Sequence, residues 1–169
     1  MYIYLTNKER TLEKLDSEPK IFRLTLKGED DLLHLVESDS MIELELTESD
    51  LIFEVIDASS SLQKGAFLVC NNIPVVENGR KVFEQRFQNR ARMIENEPGF
   101  VAIRVCRPLN SDTYVIMTFW EKEQDFLNWK QSSAYEHAHK KRGTSEGIDM
   151  QKPQIFPRPS FVETYDVLL

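Results

Sequence analysis

The chain has 169 residues, enough for one ordinary domain or two small ones, and its 41% hydrophobic and 10% aromatic residues can fill a core without metals or disulfides. Twenty-eight acidic side chains against 21 basic ones leave a formal charge of −7, which argues against a broad phosphate-neutralising face and so against nucleic acid as a general partner. Two cysteines, Cys70 and Cys106, lie in apolar runs and read as buried thiols of a reducing compartment. No apolar stretch reaches the roughly 18 residues of a membrane span, and no early stretch reads as a signal peptide, so a soluble, cytoplasmic protein is expected.

Along the chain, MYIYLT, IFRLTLKG, DLLHLVE and MIELELTE carry the short alternating or apolar runs of strands, with Gly28, Asp30 and Asp31 as turn material. A further short element spans residues 51–56. The polar, serine-rich DASSSLQKG at 57–65 marks a boundary. It divides the chain into a β-rich part, 1–65, and a second part, 66–169. In the latter, AFLVCNNIPVV is extended, and Pro74 places its end at a sheet edge or bulge. Between Arg80 and Asn96, the residues Phe83, Phe87, Ala91 and Ile94 recur at helical spacing, which predicts one helix stopped by EPG.

FVAIRVCR and TYVIMTFW read as strands joined by a turn at 108–112. A second helical stretch begins near Glu123, with Phe126 and Trp129 three apart on one face. Ser133 and Glu136 then fit a capping box, which predicts a new helical turn from Ala134. FVETYDVLL reads as the last strand. Strand, helix, strand, strand, helix, strand is the split βαβ, ferredoxin-like α+β order, whose sheet carries helices on one face and needs a cover on the other. Residues 1–65 are the expected cover, completing a barrel within one chain. On that reading the protein is a monomer with an internal pseudo-dimer, and a homodimer is the alternative.

Phosphate loops, CxxC pairs, HExxH and GxSxG elbows are missing from the sequence. What stands out is DFLNWKQSSAYEHAH, which gathers a tryptophan, a serine pair and two of the three histidines. One imidazole cannot build a zinc site, which takes three or four ligands, but it can be the sole protein ligand of a haem iron, because the porphyrin fills four positions. Otherwise His139 is an exposed or satisfied side chain, and Trp129 is the core anchor of an amphipathic helix. On the strand before the first helix, alternation puts Asn71, Ile73 and Val75 on one face and Cys70, Asn72 and Pro74 on the other. If the first set faces the helices, Asn71 is a buried amide that needs a partner.

FEQRFQNRARMIENEPGF and DTYVIMTFWEKEQDFLNWKQSSAYEHAHK, with their RFxNR and their spaced Trp and Ala-His, resemble the Isd-type haem-degrading monooxygenases of the antibiotic-biosynthesis-monooxygenase superfamily. The likeness runs from Ala66 to the C-terminus and is nearest to two-part members with an N-terminal extension. It implies a dimeric α+β barrel type of fold. It also implies a site made of an Asn on the first strand, a Trp on the second helix and a His ten residues later: Asn71, with Asn72 as the one-residue alternative, Trp129 and His139. Haem would be both substrate and cofactor, opened with O2 and electrons from an external donor, either a reductase or a small reductant, with release of iron. His139 would be the axial iron ligand, the Asn71 carboxamide would offer an N–H on the oxygen-binding side, and Trp129 would press on the porphyrin. Phe83, Phe87 and Ile94 would line the cleft, and Arg90 would stand near its mouth. Lys140, Lys141 and Arg142 would pair with propionates or form a solvated basic tail. Three functions stay open: oxidative haem degradation; a haem carrier, sensor or signalling module; and a haem-free monooxygenase acting on a small aromatic substrate.

Overall fold

Alternation along eight short strands sends one set of side chains to a shared interior and the other outward. In the computed structural model, which describes residues 1–8, 15, 20–88, 92–140, 142, 147, 150 and 154–169, these strands close into one antiparallel barrel. They are β1 Tyr2–Thr6, β2 Ile21–Lys27, β3 Leu32–Ser38, β4 Leu51–Ser59, β5 Phe67–Pro74, β6 Phe100–Pro108, β7 Thr113–Trp120 and β8 Phe161–Val167, in the order β1-β3-β2-β8-β5-β7-β6-β4. Among the described residues three α-helices, α1 Arg80–Gln88, α2 Glu123–Lys130 and α3 Ser133–His139, follow β5 and β7. Among the described residues no helix is long and apolar enough to cross a membrane.

The expected internal barrel is present. Strands β5 to β8 form the ferredoxin-like sheet, and β1 to β4 complete it, joined through β4 with β6 and, over a short stretch, β2 with β8. Ile3, Leu24, Leu35 and Phe53 from the first half interdigitate with Leu68, Cys106, Met117 and Phe119 from the second, so the halves share one core. Closure also removes the free edges that each half-sheet would otherwise expose. Cys70 and Cys106 are buried free thiols inside it, and burial pushes both thiol pKa values up, so they stay protonated and inert.

Three local expectations change. MIELELTE is not a strand: Ile42, Leu44 and Leu46 do alternate, but they pack over Tyr4, Leu15 and Val36 on the outer face of β1 and β3, and the Leu46 N–H closes a tight turn on the Leu44 carbonyl oxygen at 2.9 Å. The Ile42 N–H donates to the Tyr4 hydroxyl oxygen at 2.8 Å, and a closed barrel offers the segment no edge to pair with. The predicted helix from 80 to 96 is broken. Helix α1 is described over Arg80–Gln88, and Met93–Asn96 forms a separate 3-10 turn preceded by Arg92 in the left-handed region at φ 54°, which interrupts a right-handed helix. Ala91 lies outside the described residues. Finally, α3 begins one residue early. The Ser132 hydroxyl, not that of Ser133, accepts the Tyr135 N–H at 3.2 Å.

Helix α1 is tied to the sheet by a charged fork. Arg107 on β6 donates Nε and Nη2 to the two Glu84 carboxylate oxygens, each at 2.7 Å, and the Tyr114 hydroxyl donates to the same carboxylate. Arg80 donates to the Pro108 and Ser111 carbonyl oxygens at 3.2 and 2.9 Å. The fork from Arg107 outweighs partial burial and, with Tyr114, holds the Glu84 carboxyl below the usual carboxylate range. Because the folded pKa is depressed, the stabilisation is complete above the unfolded glutamate value of about 4.3 and fades as pH falls through the lower folded value. The Glu84 side chain is only 17% exposed. Glu84→Gln is therefore expected to cost about 1–2 kcal/mol at neutral pH. Urea titrations at descending pH should show that deficit starting to shrink as pH falls below about 4.3 and vanishing only below the depressed folded value; a constant deficit would mean the charge is irrelevant.

Candidate functional site

The site is built on the outward side of β5. Leu68, Cys70 and Asn72 turn into the barrel, while Val69, Asn71 and Ile73 turn towards the helices. Asn72 is 6% exposed, and its amide is committed there, donating to Glu163 Oε2 at 2.9 Å and to the Cys70 carbonyl oxygen at 3.3 Å. The Asn71 side chain, in contrast, is half-buried and makes no hydrogen bond among the described residues. Its amide is accessible enough to be hydrated, so no buried partner is required.

Strand register puts Asn71 in a row that crosses four strands. Val162 on β8 lies opposite Asn71, which lies opposite Ile116 on β7, which lies opposite Val105 on β6. At about 4.8 Å per strand, three steps make a floor roughly 14 Å long with one polar group in it. Val105 is fully buried, Ile116 is half-buried and Val162 is 57% exposed, so the floor opens to solvent at β8.

Two apolar clusters flank this row. On the Ile73 side, Val75, Phe83, Tyr114 and Ile155 pack with Phe87. Phe83 is enclosed at 3% exposure, its ring 5.1 Å from Phe87 and 4.7 Å from Tyr114, whereas Phe87 is half-buried at the cluster's edge. On the Val69 side, Phe67 and Trp120 pack with Ile94, Phe126 and Trp129. Ile94 reaches that cluster from the 3-10 turn rather than from α1. The loop into β6 can run close to α2 because Gly99 sits at φ +76° with Asp125 against it, where a Cβ would lie 2.2 Å from the carboxylate.

Trp129 and His139 come together through a third ring. The Trp129 ring lies 5.5 Å from Trp120, and its indole Nε1 is buried without a hydrogen-bond partner among the described residues. Tyr135 meets Trp129 edge-on at 4.9 Å and 84°, and stacks on His139 at 4.1 Å and 28°. His139 Nδ1 lies 2.8 Å from the Tyr135 carbonyl oxygen. A carbonyl can only accept, so Nδ1 carries the proton and Nε2 of the neutral ring carries the lone pair. His137, two residues earlier, is exposed on another side of the helix.

Arg90 and Lys141 lie outside the described residues, and Lys140 and Arg142 are exposed beyond α3. Two cavities lie elsewhere. One of about 450 Å³ sits between β4 and the end of α1, lined by Asp57, Phe87, Arg92 and Arg107, and one of about 150 Å³ opens inside the barrel beside Asn72 and Glu163. Asn71, Trp129 and His139 line neither. Among the described residues no three His, Cys, Asp or Glu side chains converge to hold a metal ion. A metal at His139 would thus take its other ligands from a carrier such as a macrocycle, and a lone imidazole with a fixed tautomer fits that demand. Sequence reasoning passed over Tyr135; its spacing of four from His139 was the available signal.

The profile of the antibiotic biosynthesis monooxygenase family matches residues 66–141. A staphylobilin-producing haem oxygenase of Staphylococcus epidermidis is 33% identical over 93 residues, spanning 53% of this chain and 88% of that protein. A mycobilin-producing haem oxygenase of Mycobacterium tuberculosis is 34% identical over 65 residues, 38% of this chain and 62% of its own length. Two solved structures share the fold along essentially the whole chain. A major regulator of staphylococcal pathogenesis is 19% identical with a TM-score of 0.75 over 100% of both chains, and a haem-degrading enzyme from Listeria monocytogenes is 16% identical with a TM-score of 0.63 over 98% of this chain and 99% of the other. With its ferredoxin-like sheet, and with a relative this similar matched over most of its own length, the chain belongs to the antibiotic biosynthesis monooxygenase family and is an enzyme of the monooxygenase class.

Proposed function

We propose that this protein degrades haem oxidatively, taking haem as its substrate together with O2 and electrons from a reductase or small reductant, and releasing iron from an opened ring. The observation that carries the reading is the contact of His139 Nδ1 with the Tyr135 carbonyl oxygen at 2.8 Å, which commits Nδ1–H and, in a neutral imidazole, leaves Nε2 as a lone-pair donor beside Trp129. Bound haem would supply the iron at which oxygen is activated. Every other contribution comes from the chain. His139 would hold the iron through Nε2. Asn71, whose amide makes no hydrogen bond among the described residues, would offer an N–H to a reacting oxygen. Trp129, backed by Trp120, would be a stiff wall of the macrocycle's pocket. Phe87, Ile94 and the half-exposed floor supply apolar contact, with Arg90, Lys140, Lys141 and Arg142 as candidate partners for carboxylates. Residues 1–65 act as the cover of the sheet and 66–169 as the enzyme proper. A barrel closed within one chain favours a monomer, and two buried free thiols favour the cytoplasm.

The test is an absorbance titration with haemin followed by a reductant in air, with catalase present. Saturation near one haem per chain and decay of the Soret band, with iron passing to a chelator, is the expected result. Saturation without decay would make the protein a carrier or sensor, and no binding would leave a haem-free monooxygenase. Asn71→Ala is expected to keep haemin binding within about threefold while slowing Soret decay on the order of 10²–10³-fold, the usual loss for one preorganised donor. An unchanged decay rate would remove Asn71 from the reaction.

A further inference from the structure

We infer that Tyr135 is a positioning residue for His139, its ring fixing the imidazole plane so that the Nε2 lone pair keeps one direction. The inference rests on the haem reading for its consequence, though not for its geometry. His139 is the last residue of a seven-residue helix, where backbone order is weakest, and the single Nδ1–H···O=C bond leaves the ring free to pivot about that contact. A second constraint is needed to hold the plane. The stacked Tyr135 ring, 4.1 Å from the imidazole and 28° from parallel, is that constraint.

Tyr135 is itself held from the barrel wall. Its backbone N–H is capped by Ser132, and its ring stands edge-on to Trp129. Trp129 lies against Trp120, which is fully buried on β7 and donates its indole N–H to Thr118 Oγ1 at 3.1 Å. An unbroken series of rings therefore runs from a rigid strand, through Trp129, to the candidate ligand. Tyr135 joins the group that would bind iron to the group that would deform the macrocycle, and a site supported in this way holds its geometry more closely than one resting on a helix end alone. The phenol oxygen makes no hydrogen bond among the described residues, so the ring and not the hydroxyl performs the role.

The experiment compares wild type, Tyr135→Phe, Tyr135→Leu and Tyr135→Ala. In the ligand-free proteins at pH 8, long-range proton–nitrogen correlation of His139 reports the tautomer. Wild type and Tyr135→Phe are expected to hold the Nδ1-protonated form, while the leucine and alanine variants shift towards the Nε2-protonated form. With haemin, the same two variants are expected to bind about 10–100-fold more weakly, the usual loss when a supporting partner of a metal ligand is removed, and to show a broadened iron–histidine stretch. Tyr135→Leu keeps an apolar side chain of similar bulk, so its failure cannot be laid to an unfolded helix. Wild-type behaviour in Tyr135→Leu, or a Tyr135→Phe as impaired as the alanine variant, would overturn the inference. If wild type bound no haemin the haem reading would fall, and the tautomer measurement would still decide the role of Tyr135.

Discussion

His139→Ala is expected to abolish the tight haemin complex, lowering affinity by at least about 100-fold and stopping turnover, while leaving the fold intact. Changing even a supporting partner of a metal ligand costs about 10–100-fold, so removal of the ligand itself sets a larger floor. The fold should survive because His139 is half-buried at the end of α3 and belongs to none of the buried clusters. The expected signature is a Soret maximum close to that of free haemin, with a thermal midpoint within about 2 °C of wild type, as a surface change of at most about 0.5 kcal/mol implies. Adding imidazole to the alanine variant should restore part of the Soret complex, because the missing group is a single exogenous donor. His137→Ala serves as the internal contrast: His137 is exposed, and its loss should leave binding unchanged. Equal loss in both variants would point to a general electrostatic effect of the segment and would remove His139 from the iron.

Trp120→Ala is expected to be the most destabilising single change, costing about 3–5 kcal/mol. Trp120 has no exposed surface, its ring packs with Phe100, Phe126 and Trp129, and its indole N–H is satisfied by Thr118. Truncation would leave a cavity between β7 and α2 and orphan no charge, so the loss is that of packing and transfer. At about 2–4 °C per kcal/mol for a chain of this size, the midpoint should fall by roughly 6–20 °C. Scanning calorimetry or urea unfolding reads it directly. The variant should also weaken haemin binding at temperatures where it remains folded, since Trp129 would lose its backing. A cost below about 1 kcal/mol would show that α2 is anchored elsewhere.

The parts of the molecule that were legible beforehand are those with local periodicity. Strands β1 to β3 and β5 to β8 alternate or run apolar over five to nine residues, and each stands where its pattern put it. MIELELTE shows the limit of that signal. Alternation reports that every second side chain is covered, and a segment lying across a sheet satisfies it as well as one paired within a sheet. The break at Arg92 was illegible for a related reason: Phe83, Phe87 and Ile94 do all turn inward, but a left-handed residue at Arg92 lets Ile94 do so from a turn separate from α1. The cap of α3 slipped by one position because two serines stand in tandem and only the backbone angles of Ser132 suit the role.

The sequence by itself determined the ferredoxin-like order, the need for a cover over its open face, and that Asn71 and Asn72 take opposite faces of β5, because each follows from a period of two or of 3.6 along a single strand or helix. It also singled out Trp129 and His139 as a pair ten residues apart. Only the tertiary structure decided that β1 to β4 close the barrel rather than pack on it. It alone showed that Asn72 is spent on Glu163 while Asn71 makes no hydrogen bond among the described residues, and that Val162, Asn71, Ile116 and Val105 form one floor. It likewise showed that Tyr135 links Trp129 to His139. These are relations between strands and rings far apart in the chain or turned by particular side-chain torsions, and no local period encodes them.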